Sequence, residues 1–284
     1  MKDETRSSRL LTAGILVTCL ATAGAMIADV FVPTPAPWLA IVPVYCLAAF
    51  VVSHSFVFLG ARRAIWFLAV ATILPFVTQF ISTNLVAVSA SQWLARTDDP
   101  TLSTGLLLPG QVPLNAIVTW YGLLYIVFTS SVILLRARAS DHSSFASVPL
   151  LGALLATLWR LASGPAAVGR STPAPADNGL FQQIPLASFV GWFVIAMFVL
   201  LFFQIVEPGA VDVDQFAESE PRLAPTSAMM YGACLLHASA VCLRTNATGA
   251  GWLGVVVFLL FTLAVASSST KPATPLRQAA TAGT

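Results

Sequence analysis

The chain has 284 residues, of which 14 are Lys or Arg and 12 are Asp or Glu, for a net charge of +2 and a charged fraction of 9%. With a mean hydropathy of +0.83, that leaves too little polar surface to cover a soluble globule, in which about a quarter of residues are charged. That composition argues against a soluble enzyme, and a net charge of +2 without a dense basic face argues against a nucleic-acid partner. The expectation is an all-α, polytopic transmembrane bundle.

A helix needs about 20 mostly apolar residues to cross the hydrocarbon, where unpaired backbone groups are intolerable. That ruler predicts eight spans forming a single transmembrane domain, at 10–32, 38–59, 64–90, 112–135, 145–162, 184–206, 226–243 and 249–266, followed by a polar tail at 267–284. Lys2, Arg6 and Arg9 with the small residues Ala23, Gly24 and Ala25 imitate a cleaved leader. The apolar run nevertheless continues to Val32, longer than a leader core needs. The fifth segment is short and ends at Arg160, whose side chain can reach toward an interface. With the N-terminus inside, ten of the 14 Lys and Arg fall in inner segments, and only Arg96, Arg160, Arg170 and Arg244 fall outside. The positive-inside rule then predicts a plasma-membrane protein with both termini cytoplasmic.

The first span carries Asp29 near its outer end, and an intramembrane carboxylate is a functional candidate by default. At a helix end it is equally placed to meet headgroups and water. His54 and His237, on the second and seventh spans, lack a second His or a carboxylate at ligand spacing and read as structural histidines. Cys19, Cys46, Cys234 and Cys242 all lie within spans and read as packing residues, so neither a metal nor a cofactor is expected. On the third span Gln79 and Thr83 are one turn apart, with Asn84 next; on the fourth, Asn115 and Thr119 have the same spacing. These groups suit holding a water beside an apolar substrate, or hydrogen bonding between helices.

One self-similarity stands out. Gln111, Pro113, Leu114, Val118 and Trp120 repeat in register as Gln183, Pro185, Leu186, Val190 and Trp192, with Tyr121 matched by Phe193. Each copy opens a span, with Pro in the first turn where its missing N–H is not needed. Each follows a long Gly-, Pro- and Asp-containing loop, at 91–110 and 163–182, and both enter from the same face. This is the pattern of a parallel duplication covering spans three to four and five to six. Asp98 and Asp99 in the first loop and Asp177 in the second are candidates for acid–base chemistry, although Asp-Asp-Pro is also an ordinary turn. Trp120, Tyr121, Trp192 and Phe193 offer aromatic faces to a hydrocarbon or a carbocation. No nucleotide-binding loop is present, nor are the paired aspartate-rich helices that hold magnesium diphosphate. The segment 207–220 reads as an acidic, solvated inner connector.

Gly179, Phe181, Ile184-Pro185-Leu186, Phe189 and Gly191-Trp192, with the earlier Val112-Pro113-Leu114 helix, resemble the membrane carotenoid biosynthesis proteins that include carotenoid hydratases. The resemblance covers roughly spans three to six. The family's acid on the third helix falls near Asn84 here, its Asp-Pro falls on Gly164-Pro165, and Ser188 stands where it usually has Asn. What the resemblance implies is addition of water to a terminal trisubstituted double bond of an acyclic carotenoid or related isoprenoid, without a cofactor. By position and residue type, Asp29 is the best surviving proton donor for that chemistry, with Asp98, Asp99 and Asp177 as loop-borne alternatives. Asn84 and Asn115, with Thr119 and the aromatic set, would hold water or the polyene end. A non-catalytic isoprenoid-binding or partner protein, and a small transporter, are the other classes the sequence admits; membrane lipid is a contact in all three.

Overall fold

In the computed structural model, residues 2–32, 37–84, 106–135, 144–170, 184, 186–207, 223 and 225–269 are described. They form eight helices, each long and apolar enough to cross a membrane. These are α1 (Lys2–Phe31), α2 (Pro37–Phe58), α3 (Ala61–Asn84), α4 (Leu114–Leu134), α5 (Ser144–Arg170), α6 (Leu186–Val206), α7 (Thr226–Arg244) and α8 (Thr248–Ser269). Two short strands, β1 (Leu107–Leu108) and β2 (Val112–Pro113), pair antiparallel just before α4. The protein is therefore a multi-pass, all-α membrane protein.

The helix ends refine the predicted spans in two places. The fourth span starts at Leu114 rather than Val112, because Val112 and Pro113 are drawn into β2 and Pro113 becomes the residue that precedes the helix. The hairpin closes through two left-handed residues, Gly110 (φ 75°) and Gln111 (φ 62°). Asn84 Nδ2 at the end of α3 donates to Gly110 O at 2.8 Å and clamps that turn. The fifth helix does not stop near Ala162 but runs through Gly164 and Pro165 to Arg170.

Burial separates the helices into a centre and a shell. α4 is the axis, with 83% of its span buried, whereas α1 and α8 bury 17% and 22% of theirs and turn Leu, Val and Phe side chains outward. In lipid such outward apolar residues are solvated by acyl chains, so association depends on close packing and interhelical hydrogen bonds. The core is aromatic: Phe67 of α3 lies against Tyr125 and Phe128 of α4 and Phe203 of α6, with centroids 4.9–5.7 Å apart. His54 of α2 sits 1% exposed in this core, 2.6 Å from the Tyr125 hydroxyl and 3.4 Å from Leu223 O. The hydroxyl donating to Nδ1 and Nε2–H donating to the carbonyl give both ring nitrogens a partner.

Opposite the hairpin, where α3 begins and α6 ends, Glu207 is buried and accepts two bonds from Arg62 Nη2 at 2.7 and 2.9 Å, with Arg63 Nε 3.6 Å away. The acidic connector expected at 207–220 therefore does not begin in solvent. Its first residue is sequestered by the Arg pair that opens α3. Positions 208–220 lie outside the described residues.

Candidate functional site

At the hairpin end of the bundle, polar residues from five helices form two clusters. The first joins α1 to α7. Asp29 is fully buried, two residues before the end of α1, and its Oδ2 is 2.8 Å from His237 Nε2. His237 retains 21% side-chain exposure. Seven residues on, two turns along the same face of α7, Arg244 Nη1 donates to the backbone carbonyls of Asp29, Val30 and Val32 at 2.9, 2.9 and 3.0 Å. The last carbonyls of a helix have no intrahelical partner and carry partial negative charge. A guanidinium from a neighbouring helix satisfies three of them at once. Asp29 is thus neither at headgroups nor in bulk water, but inside a protein contact with a base.

The second cluster lies where the two repeat copies meet. α4 and α6 start at the equivalent residues Leu114 and Leu186, and both run 21 residues. The equivalent Trp120 and Trp192 stack on each other at 4.0 Å and 19°. Trp159 of α5 leans on Trp192 at 5.5 Å, and the Arg160 guanidinium lies 5.5 Å from the Trp192 ring centre. Arg160 Nε and Nη2 each reach Ser188 Oγ at 3.4 Å. Arg160 is only 8% exposed and reaches from α5 to Ser188 of α6. Gly164, one turn further, makes the room: a Cβ there would collide with Ile184 and stand 3.5 Å from Arg160 Cζ. A side-chain-to-backbone bond joins α7 to α5 nearby, for Cys242 Sγ donates to Ala162 O at 3.0 Å.

The remaining candidates fall as follows. Asn115 Oδ1 accepts from the Tyr45 hydroxyl of α2 at 2.7 Å, an interhelical bond, whereas Thr119 Oγ1 donates to Asn115 O at 2.8 Å within its own helix. Asn84 serves the hairpin turn and Phe80 O. Tyr121 is 4% exposed beside Phe67, Gln79 is buried, and Phe193 is half-buried against the core. Asp98, Asp99 and Asp177 lie outside the described residues, as does the side chain of Thr83. Among the described residues no three His, Cys, Asp or Glu come together as a metal site requires.

The sequence exposed Asp29 but missed its partner. Sequence spacing shows no ligand near His237, and a pairing between residues 208 positions apart leaves no such trace. A usable signal existed: His237 and Arg244 share one face of α7 at the depth where Asp29 ends α1. No family model, curated protein or solved structure matches the chain.

Proposed function

We propose that this integral membrane protein transforms an unsaturated isoprenoid by proton transfer, hydrating a terminal trisubstituted double bond of an acyclic carotenoid, with Asp29 and His237 as the acid–base pair. Lys2, Arg62 and the 267–284 tail face the cytoplasm, and the hairpin end faces outward, as the Lys and Arg distribution favours. The observation that carries the reading is a wholly buried carboxyl held 2.8 Å from an imidazole within an apolar bundle. Such a pair keeps a proton where bulk water does not level its acidity. The Asp29 carboxyl gives its proton to the less substituted alkene carbon, and the positive charge forms at the tertiary carbon. A water oxygen bonds to that carbon, and the surplus proton returns through His237 to the carboxylate. The balance is one water added and the catalyst restored. The partial exposure of His237 gives that return a route to solvent.

One observation favours a second reading, that of a non-catalytic isoprenoid-binding or partner protein. Arg244 binds three carbonyls beside Asp29, so the same cluster locks α1 onto α7. Membranes of a host that makes acyclic carotenoids separate the two. With Asp29→Asn, product heavier by one water falls about a hundredfold or more, while thermal unfolding still shows a folded protein. If the water adduct forms undiminished in Asp29→Asn, or never forms with the native chain, the hydratase reading fails.

A further inference from the structure

The Asp29 carboxyl can work only where α1 holds it, and α1 has little packing of its own: 17% of its span is buried, against 67% for α7. The sequence also leaves the end of α1 short of donors. Val32 N–H still donates to Ala28 O at 3.0 Å. The next donor in register, four residues after Asp29, would come from Pro33, which has no N–H. Asp29 O is therefore an orphan of its own helix. Arg244 takes it, together with Val30 O and Val32 O, all from the single nitrogen Nη1. His237, on the same face of α7 two turns earlier, meets the carboxyl of the same residue at 2.8 Å. One helix thus grips Asp29 twice, at its main chain through Arg244 and at its side chain through His237. The base of that grip is firm. α7 closes with Thr245 N–H on Val241 O and Ala247 N–H on Cys242 O, both at 2.9 Å, around Asn246 in the left-handed region (φ 62°). α8 packs directly onto this end, where a Cβ at Gly251 would collide with Leu243.

We propose that Arg244 is a positioning residue, which sets the Asp29 carboxyl against the His237 imidazole by holding the main chain at the end of α1. The role rests on Asp29 and His237 being the acid–base pair of the hydration reading, and it adds the residue that keeps their separation fixed. Arginine suits the task because it is always charged. It stands where α1 and α7 both finish, and so offsets the partial negative charge of two helix ends beside a carboxyl. Without it, the last turn of α1 loses its hold and the carboxyl leaves hydrogen-bond reach of Nε2. Proton transfer then loses the geometry it needs, while the apolar surfaces of the bundle are untouched.

The test reads the pair itself, without substrate. In the full chain, labelled with nitrogen-15 at histidine and held in phosphatidylcholine nanodiscs, an imidazole N–H bonded to a carboxylate gives a far-downfield proton resonance. Its loss in Asp29→Asn and in His237→Gln assigns it. In Arg244→Gln the resonance weakens severalfold or vanishes, while thermal unfolding still reports a folded protein. Arg244→Lys keeps the charge, but its side chain is shorter by one bond and does not span the three carbonyls, so it weakens the resonance too. That variant decides the matter should Arg244→Gln fail to fold. A resonance of native position and intensity in either folded variant overturns the proposal, as does its absence from the native chain. In a host that makes acyclic carotenoids, Arg244→Gln slows water addition by about tenfold to a hundredfold, the cost of a small misplacement, and a native rate there also overturns it. A native chain that forms no water adduct, with the resonance lost in Arg244→Gln as expected, ends the hydration reading and leaves Arg244 as the residue that positions Asp29.

Discussion

α4 and α6 begin with the same motif at the same residue and have the same length, yet one is the axis of the bundle and the other part of its shell. α4 buries 83% of its span, α6 39%. The shared start fixes only the stacked Trp120 and Trp192; beyond it, the residues diverge according to what surrounds each copy. At the position of Ile126, fully buried in α4, α6 carries Phe198, 57% exposed to the lipid side. Asn115 of α4 bonds Tyr45 of α2, whereas its counterpart Ala187 makes no side-chain bond, and the next residue, Ser188, meets Arg160 instead. The two helices share a motif at their starts, and position in the bundle goes with which polar groups each carries beyond it.

Equivalent substitutions in the two copies should therefore have unequal consequences. Ile126→Ala opens a cavity in the axis and should cost about 2–5 kcal/mol, whereas Phe198→Ala should stay within about 0.5 kcal/mol, both read by reversible unfolding in detergent micelles. Similar costs would mean that the copies are not differently buried. Next comes the wedge between them: a Cβ added at Gly152 of α5 would collide with the Leu200 side chain of α6 and stand 3.5 Å from Ser131 Oγ of α4. Gly152→Val should cost about 1–3 kcal/mol through overpacking, and a neutral result would remove α5 from that role.

Smaller effects probe the foothold. A double-mutant cycle on Trp120→Ala and Trp192→Ala should return a coupling of about 0.5–1.5 kcal/mol, the worth of an aromatic pair beyond its area; strict additivity would dissolve the stack. Smallest is the contrast of interhelical hydrogen bonds. Tyr45→Phe removes a 2.7 Å bond and should cost about 0.6 kcal/mol, typical within membranes. Ser188→Ala, which removes two contacts of 3.4 Å, should cost less than Tyr45→Phe, and the reverse order would contradict the geometry.

How much of this was legible in the sequence depends on the range of the interaction. Eight spans follow from runs of apolar residues and needed no partner to be seen. The start of α4 was misplaced by two residues because Val112 and Pro113 suit a helix opening as well as a strand, and the choice is made by pairing with Leu107 and Leu108. Gly164-Pro165 looked like a helix end, but packing against Ile184 and room for the Arg160 head carry α5 through it. Glu207 belonged by composition to a solvated run until Arg62 and Arg63, 145 and 144 positions earlier, came beside it. The Trp120–Trp192 stack was implicit in the repeat, whereas the Asp29–His237 pair and the Arg160–Ser188 contact depend on which faces of which helices meet. Periodicity along one helix does not contain that information.

The claim on which the function rests is that this bundle houses an unsaturated hydrocarbon. Lipids extracted from protein purified out of a host that makes acyclic carotenoids, and identified by mass, test it most directly. The account predicts a co-purifying acyclic polyene with a terminal trisubstituted double bond, or the corresponding tertiary alcohol. An extract containing bilayer phospholipids and no polyene would contradict it.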